Sequence, residues 1–297
     1  MSAGIDLNFR GKSSVIAAAV LRATDGLVIV DPGPTTGLPA LEEGLAGLGG
    51  GLDEVRHILL THIHLDHAGA TGTIAARVPQ ARVYVHERGA PHMINPQKLL
   101  ASATRLYGDQ MDVLWGRFDP VPESQVTVLT GGERLDIPGR SIHVRYTPGH
   151  AVHHVSYLDE AEGVAYVGDT CGIRVVADYT IAATPPPDID VEAWQASLNL
   201  IGDWKPETLF LTHFGPVLDP ASHLEHYRQV LADAAALVAR SLAAGGADED
   251  RVADFVTRMR ADARNALSER DAVALELAAP FDQIWAGLAR YWRKRTA

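Results

Sequence analysis

Apolar residues fall along the chain in two rhythms. Continuous runs of strand length open it: SSVIAAAVLRA and GLVIVDPG, joined by a turn around Asp25-Gly26 that is a hairpin signal. RHILLTH, RVYVH, QVTVLT, SIHVRYT, HVSYL, VAYVGD and TLFLTH read as further strands. Helical spacing interrupts them. Leu41, Leu45 and Leu48 lie between Pro39 and a Gly49-Gly50-Gly51 stop, Ala68 to Val78 runs up to Pro79, and Val191 to Trp204 carries Trp194, Leu198 and Ile201 on one face. A β-β-α-β-α-β opening predicts mixed α/β layering.

Two stretches break this rhythm. Residues 91 to 123 are helix-leaning and rich in Met, Leu, Tyr and Trp, with prolines at both ends. They read as an insertion, either a lid or pocket wall or a packed surface helix. From 222 onward the pattern is helical, in about three segments broken at Gly245-Gly246 and near Pro280. Phe281, Ile284, Trp285, Leu288, Tyr291 and Trp292 form an apolar stripe on the last segment. TPPPD, from Thr184 to Asp188, reads as a stiff extended linker. The expected organisation is a mixed α/β domain over 1–221 and a helical extension over 222–297, which covers the core, completes a pocket or forms a homodimer.

Composition narrows the class. The 297 residues are 46% hydrophobic and 21% charged, a globular balance. Lys plus Arg is 26 against 37 Asp plus Glu, a net charge of -11, which argues against nucleic acid as a partner. A lone cysteine, Cys171, excludes a disulfide framework and reads as a small buried residue. The first residues lack a secretory pattern, and no apolar run reaches the ~18 residues of a membrane span. A cytoplasmic protein with no membrane partner is the expectation, which leaves a small-molecule substrate among the candidate partners.

The 13 histidines are not scattered. In LLTHIHLDHAG, His62, His64, Asp66 and His67 follow a strand and precede a helix, so four metal-binding side chains converge at a strand end. His150, Asp169 and His213 each close another apolar strand. Five imidazoles and two carboxylates suit zinc, iron or manganese, suffice for two ions, and include no thiolate of a structural zinc finger.

With these residues the chain resembles the metallo-β-lactamase superfamily over about 14 to 220. THIHLDHAG resembles its signature, DPG at 31 to 33 its early motif, and TPGH, GDT and THFGP its later ones. The resemblance implies an α/β fold, the αββα sandwich. It implies that His62, His64 and His150 hold one metal, Asp66, His67 and His213 a second, and that Asp169 bridges both. This set is similar to the glyoxalase II and lactonase branches rather than to true β-lactamases. Two differences qualify that placement. No counterpart of glyoxalase II's glutathione-anchoring residues is evident in the C-terminal helices, where Arg293, Lys294 and Arg295 read as a solvated helix end. Gly172 stands where the lactonases carry a tyrosine.

The implied activity is hydrolysis of an ester, thioester or lactone carbonyl by a hydroxide shared between two divalent ions, zinc foremost, with Asp66 orienting it or passing its proton. The alternatives are a mononuclear iron enzyme of the persulfide dioxygenase kind and a phosphodiester or phosphotriester hydrolase. Asp31 is expected to fix a ligand histidine or its own turn. His153 and His154 are candidates for support behind the ligands. Arg174 is a candidate anchor for a substrate carboxylate.

Overall fold

The strand-length runs stack as two six-stranded sheets in a computed structural model that describes residues 2–176 and 179–296. The first sheet takes its strands in chain order: β1 (Ala3–Asp6), β2 (Ala17–Arg22), β3 (Leu27–Val30), β4 (Val55–Leu59), β5 (Arg82–His86) and β6 (Val126–Leu129). Its first three strands are antiparallel and the rest run parallel. The second contains β7 (Arg134–Ile137), β8 (Arg140–Tyr146), β9 (Val155–Asp159) and β10 (Val164–Gly168). After a separate hairpin of β11 (Ile173–Val176) and β12 (Tyr179–Ile181), it resumes with β13 (Thr208–Leu211) and β14 (Gly215–Val217). Its order is β14-β13-β10-β9-β8-β7, with β10 and β13 parallel.

The unbroken apolar runs follow from this layering. Successive strand residues face opposite sides. On β2, Ala17, Ala19 and Leu21 join the core between the sheets, while Ala18 and Val20 join the core under the helices. Both faces are covered, so both must be apolar. The fold is thus the four-layered αββα sandwich, as expected, with a helical region after it.

Several elements differ from the pattern-based reading. β1, β7, β11, β12 and β14 are strands of three or four residues without a legible alternation. The Ala68 to Val78 stretch is two helices, Leu65–Ala68 and Thr71–Arg77. The C-terminal region holds four helices rather than three: Pro220–Ala243, Asp248–Ala266, Glu269–Ala278 and Phe281–Thr296. The extra break falls at Ser268, whose hydroxyl caps the start of the third helix by accepting from the Asp271 N–H, so a new helix begins there without glycine or proline. No helix among the described residues is long and apolar enough to cross a membrane.

Residues 91 to 123 form the helices Ala90–Ile94, Gln97–Tyr107 and Met111–Leu114. They line part of a cavity of about 390 Å³ over the site, and TPPPD and the last two helices line another part of it. The floor is His64, Asp66, His150 and Asp169.

Candidate metal centre

Strand ends assemble the site. β4, β10 and β13 finish at one edge of the sandwich, and the turns after them carry His62 to His67, Asp169 and His213; the loop between β8 and β9 adds His150. Gly168 lets β10 end so close to β4: at its φ of 48°, a Cβ would lie 2.5 Å from Thr61 Oγ1 and 2.6 Å from His154 Nε2.

Three groups of donor atoms lie close enough to hold an ion: His62, His64 and His150; His62, His67 and Asp169; and Asp66, His67 and His213. In the first, His64 Nδ1 is 2.9 Å from both His62 Nε2 and His150 Nε2. Asp169 joins the groups through its two oxygens. Oδ2 is 3.4 Å from His150 Nε2, while Oδ1 is 3.1 Å from His67 Nε2 and 3.5 Å from His213 Nε2. Asp66 Oδ2 is 3.3 Å from His213 Nε2 and 3.5 Å from His67 Nε2.

The outer nitrogens decide what the inner ones offer. His150 Nδ1 donates to the Ala183 carbonyl at 2.9 Å, and His213 Nδ1 donates to the Val15 carbonyl at 2.6 Å. His67 Nδ1 donates to Asp31 Oδ2 at 2.8 Å. Thr61 gives its hydroxyl proton to Asp31 Oδ2 at 2.7 Å, so its oxygen accepts from His62 Nδ1 at 3.1 Å. Each of these four rings therefore turns Nε2 inward with its lone pair available. His67 Nε2, His213 Nε2 and Asp169 Oδ1 are buried with no hydrogen-bond partner. Buried polar atoms are normally satisfied, so orphans aimed at one point mark a place for an ion.

The electrostatics agree. Burial and the neighbouring His67 hold His62 well below its ordinary value, and burial takes His64 down to about 3, so both are neutral. Burial pushes the Asp66 carboxyl up, but His67 and His213 outweigh it and bring it to about 2. Asp169 likewise stays ionised against burial, through His67, His150 and His213. The two carboxylates in turn raise His67 and His213 despite burial. Ionised carboxylates that draw protons onto His67 and His213 leave a site that attracts positive charge, and a divalent cation would take the place of those protons.

The remaining candidates fall at different distances. Asp31, fully buried at φ 51°, accepts from Thr61 N at 2.8 Å and from Thr212 Oγ1 at 2.9 Å besides its two contacts above. His153 lines the cavity, with its ring stacked 6.1 Å from His62. His154 lies behind the site, 3.0 Å and 3.1 Å from the hydroxyls of Thr147 and Thr170. Arg174 is not among the residues lining the cavity: it sits on β11, where its N–H donates to the His213 carbonyl. Cys171 is buried, as expected. Sequence reasoning missed Thr61 and Thr212. Their signal was the Thr-His pair repeated at two strand ends, in LLTH and FLTH.

The profile of the metallo-β-lactamase superfamily matches residues 14–213. The chain belongs to that superfamily. It is a metallo-hydrolase of the superfamily, with His/Asp clusters able to bind metal. It is 31% identical over 183 residues to a metallo-β-lactamase fold-containing protein of Sulfurisphaera tokodaii, covering 61% of this chain and 68% of that one. A hydroxyacylglutathione hydrolase of Aeromonas hydrophila is 30% identical over 51% of this chain and 44% of its own length. The crystal structure of a metallo-β-lactamase family protein from Thermus thermophilus superposes on all of this chain and 94% of that one, with a TM-score of 0.71 at 23% identity.

Proposed function

We propose that this member of the superfamily is a dinuclear hydrolase of ester, thioester or lactone carbonyls, with zinc as the first expectation for its metals. The observation that carries the proposal is the Asp169 carboxylate, with one oxygen toward the His62, His64 and His150 side and the other toward His67 and His213. The first three imidazoles would hold one ion, Asp66, His67 and His213 the other, and Asp169 would reach both. Divalent ions held there would supply an acidified water and an electrophile for the carbonyl oxygen.

The chain's own residues do the rest. Asp66 lines the cavity floor, with one-fifth of its side chain exposed, and is the carboxylate placed to accept a proton from the attacking water and return it to the leaving group. Asp31, Thr61 and two backbone carbonyls keep the imidazoles in the ligating tautomer. The apolar residues of the walls, among them Leu99, Trp115 and Ile284, lower the local dielectric, which strengthens charge interactions at the floor. The catalytic unit is residues 1–221, with 91–123 and the C-terminal helices completing the cavity. The partial match to a hydroxyacylglutathione hydrolase supports carbonyl hydrolysis.

Elemental analysis of protein purified without added metal is expected to give about two ions per chain. A panel of lactones, esters and thioesters is then expected to show hydrolysis that His64→Ala and Asp66→Ala each abolish. Turnover retained in both variants overturns the assignment. A single iron with no carbonyl hydrolysis would redirect it to oxygen chemistry, and activity confined to phosphoesters to that class.

A further inference from the structure

We infer that the substrate joins an oxyanionic group, a carboxylate or a phosphate, to an apolar portion, and that Arg88 and Lys98 select it by that charge. The inference rests on the hydrolase reading above and concerns the walls of the cavity rather than its metal-binding floor.

The helix Gln97–Tyr107 lines the cavity with Lys98, Leu99, Ser102, Ala103, Leu106 and Tyr107. The spacing is one helix face, and the eight steps from Lys98 to Leu106 span about 12 Å. Polarity falls along that face. At its far end Tyr107 meets Trp115 edge-on, with ring centroids 5.1 Å apart, and Trp115 stacks on Phe9 at 5.5 Å, an apolar aromatic corner. At its near end Lys98 shares the lip with Arg88 and His92, from the turn and short helix that precede it.

Two acidic residues, Glu87 and Asp188, lie near Arg88 around the Tyr146 ring. Yet neither permanent cation, Arg88 or Lys98, makes an ion pair among the described residues, and the Arg88 guanidinium rests 6.0 Å from the centroid of the Tyr146 ring. Of the acidic residues on the walls, Glu276 is taken by Arg260 at 2.6 Å, which leaves Asp188 beside the prolines. A chain of net charge -11 repels anions at long range, so an anionic ligand needs local cations at the entrance. Low-dielectric walls beside those cations strengthen their pull on a bound oxyanion. The pattern fits a substrate whose scissile carbonyl sits at the floor, its apolar part in the aromatic corner and its oxyanion at the lip.

Two inert amides test the charge selection by equilibrium binding to the metal-loaded protein: 4-hexanamidobenzoate and its neutral counterpart 4-hexanamidobenzamide. Calorimetry is expected to show the carboxylate binding at least tenfold tighter. The Arg88→Glu/Lys98→Glu double variant should lose that ratio, whereas Arg105→Glu, an exposed change on the same helix away from the cavity, should keep it. Equal binding of the two amides by the unaltered protein overturns the inference. So does a preference that survives in the double variant, since the carboxylate would then be held at the metal-binding floor. Turnover of the matching neutral hexanoyl ester is read separately: its absence counts against the hydrolase reading, and the binding ratio still decides the charge selection.

Discussion

Asp31 serves two imidazoles at once. It accepts directly from His67 Nδ1 and, by taking the Thr61 hydroxyl proton, makes that oxygen an acceptor for His62 Nδ1. It does so with its backbone in the left-handed region, which Asp and Asn tolerate better than other side chains. Asp31→Asn is therefore expected to keep the fold while losing the charge that orients both rings. Removal of such an outer partner typically lowers metal affinity by about 10- to 100-fold. Chelator competition followed by elemental analysis checks it, and unchanged retention of metal would show that Asp31 only shapes its turn.

Single elements carry their own balance of forces. In the turn between β6 and β7, Glu133 accepts from the N–H groups of Thr130, Gly131 and Gly132 and from the Thr130 hydroxyl, at 2.6 to 3.0 Å. Against a raising effect of burial, these donors bring its carboxyl from 4.5 down to about 2. A carboxyl lowered on folding stabilises the fold above its unfolded value, and the effect disappears as pH falls from about 4.5 toward 2. Solvent on the open side of the turn limits the gain, so Glu133→Gln should cost about 1–2 kcal/mol at pH 7 and almost nothing near pH 2. Urea titrations of both proteins across that range measure the convergence, and a constant gap would remove the charge from the explanation. The same locality explains what the chain's pattern disclosed. Ligands such as His62 and His213 were visible because each closes a long apolar strand, and a strand end declares itself within six or seven residues. β1 and β14 were not, because a strand of four or three residues at a sheet edge owes its conformation to its partner. The Ser268 cap replaced the Gly or Pro that marks a break. The cavity walls were the least visible, since Leu99, Pro185 and Ile284 meet from three regions about 90 residues or more apart.

At the scale of the whole molecule, the C-terminal helices act on the catalytic layers through close packing. A Cβ on Gly287 would stand 1.9 Å from the Thr184 carbonyl oxygen, so the last helix lies directly on the TPPPD segment. Thr184 Oγ1 also donates to the Ile284 carbonyl at 3.0 Å. Gly287→Ala gains about 1 kcal/mol of helix propensity but must push backbone aside, and a net loss of about 1–3 kcal/mol is expected by thermal or urea unfolding. An increase in stability would show that this contact is loose. Deletion of 222–297 tests the dependence at full scale. Leu224, Tyr227, Leu231 and Val238 are buried in the same apolar cluster as Ile173, Trp194 and Leu198, and His223 Nε2 donates to the Cys171 carbonyl at 2.8 Å. Removing the helices bares that cluster and one side of the cavity, a larger apolar patch than soluble monomers usually expose. The 1–221 fragment is expected to aggregate, or to bind a hydrophobic dye and unfold without a cooperative transition, and to retain no more than traces of hydrolysis. If it instead unfolds cooperatively as a monomer with full metal content, the sandwich stands alone. The helices then serve the substrate rather than the fold.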